Sequence, residues 1–228
     1  MLDDYTIQRI YDTNKLGYHN WTHISRMLMN AHNFKESLDE DSWYKLEQAI
    51  KFHDIIYVPG AADNEEKSAK AYLLHQVKTA TEVEEPKLAS PSRRALSAVP
   101  LAPKEPEAED PVVSLIMATK NHRAVKTIDN KLFELSKIIV DLDLWGLGDS
   151  WADYVSAGKR IRSEYINAGF TDEQFDIGRK SFIRRFLDRE SIFLTEFCED
   201  RELRAIYNLK KELYLLNLKS TNGLPLQQ

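Results

Sequence analysis

The chain has 228 residues, 43% hydrophobic and 29% charged, enough to bury a sizeable core as one domain or two small ones. A net charge of -5 and a pI near 5.7 exclude the broad basic face of a general nucleic-acid or anionic-membrane binder, leaving room only for a local anion pocket. The single cysteine, Cys198, excludes an internal disulfide framework and any cysteine-based zinc site.

No apolar run approaches the ~20 residues that span a bilayer. The opening MLDDYTIQRIYD is acidic and has no apolar leader core, so a cytoplasmic protein without membrane association is expected. Glycine is scarce, at 8 residues, and nearly every patterned segment has helical period, so the fold class is predicted to be all-α.

In chain order, Ile24, Leu28 and Ala31 share one face of a helix running from about Asn20 into the thirties. The segment SWYKLEQAIKFHDIIY sets Trp43, Leu46, Ile50 and His53 at helical intervals and stops before Pro59-Gly60. Asp63-Asn64-Glu65-Glu66 supplies a cap and an acidic first turn for the helix that continues as KSAKAYLLH. From 77 to 110 the chain carries Pro86, Pro91, Pro100, Pro103 and Pro106 among alanine, serine and glutamate, with no aromatic residue. Such a stretch cannot bury enough apolar surface to offset the entropy of ordering, and a disordered insertion is predicted. It interrupts a single domain over 1–220 rather than joining two, because candidate site residues lie on both sides of it. Helices resume in VVSLIMATKNH, KLFELSKIIVDLDLWGL, SWADYVSAGKRIRSEYINA, DEQFDIGRKSFIRRFL and ELRAIYNLKKELYLLNL, and 221–228 is expected to fray.

Four of the six histidines, His19, His23, His53 and His122, sit in polar clusters. The pair His53-Asp54 closes an apolar helix, where neighbouring side chains stand about 100° apart and both can reach one ion beside the helix. Neutral imidazoles with carboxylates suit a divalent ion such as Zn, Mn, Fe, Co or Mg. The alternative is a histidine at a helix end beside a solvated aspartate. In IIVDLDLWGLG, Asp141 and Asp143 point roughly 200° apart on a helix, so only one can face a given site. Either needs a partner in so apolar a run, whether a metal or a cation from a neighbouring helix. The stripe Trp145, Leu147, Trp151 and Tyr154 reads as core, and His32 as solvated.

Taken together the order is His, His-Asp, Asp, and with its contexts it resembles the HD-domain superfamily of metal-dependent phosphohydrolases. Within it, the chain is similar to small HD phosphohydrolases through YHNWTH (18–23), FHDIIY (52–57), DNEEKSA (63–69), ATKNH (118–122), DLDL (141–144) and IRSEY (161–165). The motifs stand in the family's order, with the proline-rich stretch between the third and the fourth. The resemblance implies an HD-type helical bundle with His23, His53, Asp54 and Asp143 on a divalent metal ion. Asp141 is the alternative to Asp143, since the family's usual LDAD reads VDLD here.

YHNxxH also resembles the motif of cyclic-nucleotide phosphodiesterases, a distant branch. There the first histidine protonates the leaving oxygen, which implies His19 as general acid. Asn20 as a helix cap would hold His19 just outside the helix, facing substrate. The alternative is that His19 orients a neighbouring carboxylate. Glu65, which follows the Asp-Asn of its motif, is the implied acceptor of the water proton. Glu66 is the alternative, and both also read as ordinary first-turn acids. Lys120, His122, Arg162 and Arg179 are the candidate phosphate contacts.

The implied reaction is hydrolysis of a phosphoester, most plausibly of a nucleoside 5′-monophosphate, by a hydroxide generated at the ion. Nucleoside di- or triphosphates and cyclic nucleotides are the alternatives within the class. A non-catalytic nucleotide sensor and a helical scaffold are the alternatives outside it. The implied partner is a small phosphorylated molecule, with no stable nucleic-acid binding, and the sequence leaves a homo-oligomer open.

Overall fold

The structure, a computed structural model, describes residues 3–83 and 110–221; of 78–83, 220 and 221 it describes the backbone alone. Helices form where capping residues precede apolar stripes. Asp3 accepts from the Thr6 amide and opens α1 (Asp4–Thr13). Asn20 accepts from the Thr22 amide and opens α2 (Trp21–Ala31). Asp39 caps α3 (Glu40–Phe52), and α4 spans Asn64–Val83. Asp110 caps α5 (Pro111–Asn121), whose leading proline loses nothing, because first-turn amides have no helical acceptor. Then follow α6 (Asn130–Asp143), α7 (Trp151–Asn167), α8 (Asp172–Leu187) and α9 (Glu199–Thr221). Thr171 and Gln174 close a reciprocal capping box at the start of α8.

The described residues contain no strand, and the chain is all-α as its periodicity implied. Among them, no helix is long and apolar enough to cross a membrane. The segment expected to be disordered, 77–110, lies mostly outside the described residues. Its edges are ordered: Val77–Val83 continue α4, and Asp110 is the cap of α5. The fraying expected at 221–228 lies outside the described residues after Thr221, which still ends α9.

At the centre, α5 packs against α3, α4 and α6, and α3 and α6 each pack on α2. Leu115 and Ile116 of α5, Leu46 and Ile50 of α3, Ile139 of α6 and Ile24 of α2 are fully buried. This packing brings together the ends of α2, α3, α5 and α6, so that His23 and Asp143, 120 positions apart in the chain, come into contact. On the other side, α9 packs on α8 and on the 3₁₀ turn Leu144–Gly148 that follows α6.

The N-terminal segment, informative in sequence only for its acidity, supplies α1 (Asp4–Thr13), which matters to the site. Ile7 and Tyr11 lie four residues apart and are buried, and the Tyr11 hydroxyl donates to the Lys51 carbonyl at 3.0 Å. That bond braces the last turn of α3, two residues before His53. Beyond it, Gly60 adopts φ +82°, and a side chain there would strike the Phe170 ring. The Pro59-Gly60 turn thus lies against the α7–α8 connection.

Candidate metal centre and cavity

Asn20 sets the geometry of α2. With Trp21 as the first helical residue, His23 falls in the first turn, 8% exposed, while Tyr18 and His19 stay outside the helix. His53 is the C-cap of α3, its amide still bonded to the Ala49 carbonyl. Asp54 lies in the turn beyond, so the sharp bend, not the 100° step of a continuing helix, brings the pair onto one point. Asp143 is the last residue of α6.

Donor atoms of His23, His53 and Asp54 lie within 4.8 Å of one another. Asp143 Oδ1 approaches His23 Nε2 at 3.3 Å and His53 Nε2 at 3.7 Å. Asp54 Oδ2 stands 3.2 Å from His53 Nε2 and 4.0 Å from His23 Nε2. Such separations are those of ligands sharing one ion at about 2.0–2.2 Å each. The fit has a second support: Nε2 of His23 and Nε2 of His53 are buried and make no hydrogen bond. Buried polar atoms are normally satisfied, and a cation between them would satisfy both. His53 Nδ1 lies 2.9 Å from the Ile50 carbonyl, which requires the proton there and leaves the Nε2 lone pair free to coordinate. A divalent metal ion therefore suits this residue set.

Burial opposes charge on Asp143, yet the imidazoles of His122, His23 and His53 hold its carboxyl well below the usual range. Burial likewise works against protonated His53, but Asp54 and Asp143 hold its pKa well above the ordinary value. His122 joins this group. As the C-cap of α5 it takes the left-handed conformation, φ 49°, unusual for a residue with a Cβ, and its Nε2 reaches Asp143 Oδ2 at 3.3 Å. Expected as a phosphate contact, it lines the cavity beside Asp143.

Asp141 points elsewhere. Fully buried, it accepts from the Leu194 amide at 2.7 Å, the Thr195 amide at 2.8 Å and the Thr195 hydroxyl at 2.6 Å, pinning the α8–α9 connection. Asp141→Asn sets an amide NH₂ against these donors. It is expected to cost about 2 kcal/mol, or roughly 4–8 °C in Tm, while leaving metal stoichiometry unchanged. Calorimetry with metal analysis checks both.

A cavity of about 420 Å³ opens from this centre. At its polar end stand His19, Asp54, Glu65, His122 and Asp143. Glu164 of α7, 3% exposed, accepts from the backbone amides of Tyr18 at 2.5 Å and His19 at 2.9 Å, and lies 2.6 Å from His19 Nδ1. Tyr57 stacks on the His19 ring, centroids 3.7 Å apart and planes 15° off parallel. Burial alone would lower the His19 pKa, but Glu164, then Asp54 and Asp143, raise it above its ordinary value. Glu65 is half-buried and unpaired in the cavity wall, its pKa raised by burial and by Asp54. Glu66 is exposed and bound to Lys120.

The expected cations fare differently. Lys120 is held by Glu66 and does not line the cavity. Arg162 does not line it either: it bonds Asp172 at 2.6 Å and also Asp176, with its guanidinium over the Phe175 ring. Arg179 lines it, but its guanidinium is held by Glu212 at 2.9–3.0 Å and by the Tyr154 hydroxyl at 3.0 Å. Sequence reasoning passed over two residues. One is Glu164, inside the IRSEY motif and three residues after the cavity-lining Ile161. The other is Arg185, which lines the cavity, stacks over Phe182 and Phe186, and has no ion pair among the described residues. Its signal is its register with Phe175 and Phe182 on α8.

In comparisons with protein-family models, curated proteins and solved structures, nothing matches the chain.

Proposed function

We propose that the protein is an HD-type, metal-dependent phosphohydrolase that cleaves a phosphoester of a nucleotide, with a nucleoside 5′-monophosphate as the favoured substrate. The observation that carries this reading is the meeting of His23, His53, Asp54 and Asp143, from three separate helices, at the mouth of a cavity that also presents His19. When bound, a divalent ion would supply Lewis acidity, lowering the pKa of water and neutralising phosphoryl charge.

The chain's own residues divide the remaining work. His23, His53, Asp54 and Asp143 hold the ion and fix its place. Glu65, unpaired and facing the cavity, is the base suited to accept the proton of the attacking water; Glu66, spent on Lys120, is not. His19, with Nδ1 committed to Glu164, keeps Nε2 to donate a proton to the leaving oxygen. Arg185 is the cation available for a phosphoryl oxygen, and it offers bidentate contacts that a lysine cannot. An acidic chain with one buried cysteine fits a cytoplasmic enzyme acting on a small diffusible substrate.

The test is phosphate release from a panel of nucleoside 5′-monophosphates after metal is stripped and Mn, Co, Mg, Fe or Zn is restored. Release with at least one ion, lost again on chelation, is expected. Nucleotide binding with no turnover under any ion would instead make the protein a sensor.

A further inference from the structure

Besides the residues of the metal centre, α7 and α8 line the cavity, and each contributes one helix-interior glycine to its wall. On α7 the lining residues are Tyr154, Ala157, Gly158, Ile161 and Tyr165. On α8 they are Gln174, Phe175, Gly178, Arg179, Phe182 and Arg185. At 3.6 residues per turn, each glycine falls in the middle of the cavity-facing stripe of its helix.

Neither glycine is explained by the protein itself. A glycine inside a helix destabilises it by about 1 kcal/mol relative to alanine. The usual reasons to tolerate that are a left-handed backbone or a close neighbour. Gly60 and Gly169 are the glycines with positive φ; Gly158 and Gly178 are helical. A Cβ built on either of these two would meet no atom within 4 Å. Gly158 is half-buried and Gly178 exposed, both line the cavity, and the absence of a side chain leaves its wall open at both.

The walls define what fits there. Tyr154, Tyr165, Phe170, Phe175 and Phe182 are aromatic. Gln174 has its carboxamide oxygen committed to the Thr171 amide, and Arg179 is committed to Glu212. Aromatic walls with few free polar groups take a flat ring by stacking rather than by reading its edges.

We propose that Gly158 and Gly178 form a slot for the planar ring of the substrate, a nucleobase in a nucleotide, and so set specificity for a flat leaving group. This deepens the phosphohydrolase reading and rests on it for the word substrate, but the slot is testable without turnover. Equilibrium binding of adenosine, uridine and indole is measured on the metal-free full chain, for the wild type, Gly158→Leu, Gly178→Leu and Gly178→Ala. The wild type is expected to bind at least one probe, and both leucine variants to weaken it by about 10-fold or more. The Tm of Gly178→Ala should rise by about 2–4 °C, because helix propensity improves and its Cβ meets no atom within 4 Å. Nucleoside binding assigns a nucleobase, and indole binding alone assigns another aromatic ester.

Wild type binding none of the probes overturns the slot, as do leucine variants that bind like wild type. A lowered Tm in Gly178→Ala overturns it too, since the glycine would then serve packing. An absence of phosphate release from every metal-loaded form would sink the phosphohydrolase reading while leaving the binding result to decide the slot.

Discussion

Asp143→Asn is expected to lower phosphate release by about 10³-fold, equivalent to about 4 kcal/mol in the barrier, and to abolish metal-dependent stabilisation. Asp143 is the one carboxylate within 3.7 Å of three imidazoles, those of His23, His53 and His122. Asparagine keeps the shape but removes the charge that an ion would meet. Wild-type protein at an ion concentration a thousand times the dissociation constant gains about 4 kcal/mol of stability, which calorimetry reads as a rise in Tm. The variant should show no such rise.

The metal-free variant separates charge from fold. The Asp143 carboxyl is held well below its ordinary 3.8, so its contribution to apo stability is present above that pH and lost on acidification through the lowered value. The metal-free wild type should therefore be more stable than the metal-free variant at neutral pH, and the two should converge in acid. Turnover and metal-dependent stabilisation both surviving in Asp143→Asn would sink the assignment of the centre. Asp141→Asn offers the opposite pattern, with lower Tm and intact metal binding, although it sits only two residues away.

What the chain disclosed in sequence follows from which forces are local. Helix caps and apolar stripes act within a few residues, so Asn20, Asp63-Asn64 and the runs of α5 through α9 were legible directly. The split between His19 and His23 was also local, because one cap decides which side chain enters the helix. Asp141 and Asp143 could be told to face apart, but which one faced the other histidines depended on the packing of α6 against α2 and α3.

The cations were the least legible, for a physical reason. An arginine's partner is set by tertiary neighbours: Arg162 is taken by Asp172 and Asp176 on the next helix, and Lys120 by Glu66, 54 residues away. Arg185 stays unpaired because α8 turns it toward the cavity with no described acid beside it. The N-terminal helix escaped notice because its anchor, Tyr11, acts on the carbonyl of Lys51 rather than through a local pattern.

Glu164→Gln is expected to lower turnover by about 10²-fold at pH 8 and to move the basic limb of the pH–rate profile to lower pH. A general acid must carry its proton, so activity falls as pH rises through its pKa. In the folded protein burial depresses the His19 value, and the Glu164 carboxylate is the first of the groups that reverse this. With glutamine the charge is gone, burial prevails, and His19 loses its proton at lower pH. Some activity should therefore return on acidification, a recovery that simple misplacement of His19 would not give. The same pair has a stability signature. The raised value for His19 means its contribution is complete below its ordinary 6.5 and lost as pH rises through the raised value. The lowered value for Glu164 means its contribution is complete above its ordinary 4.5 and lost as pH falls through the lowered value. The Tm gap between wild type and Glu164→Gln should thus be widest between pH 4.5 and 6.5. A variant whose activity drops equally at every pH would show that Glu164 only holds the Tyr18-His19 backbone, and would overturn its role in keeping the His19 proton.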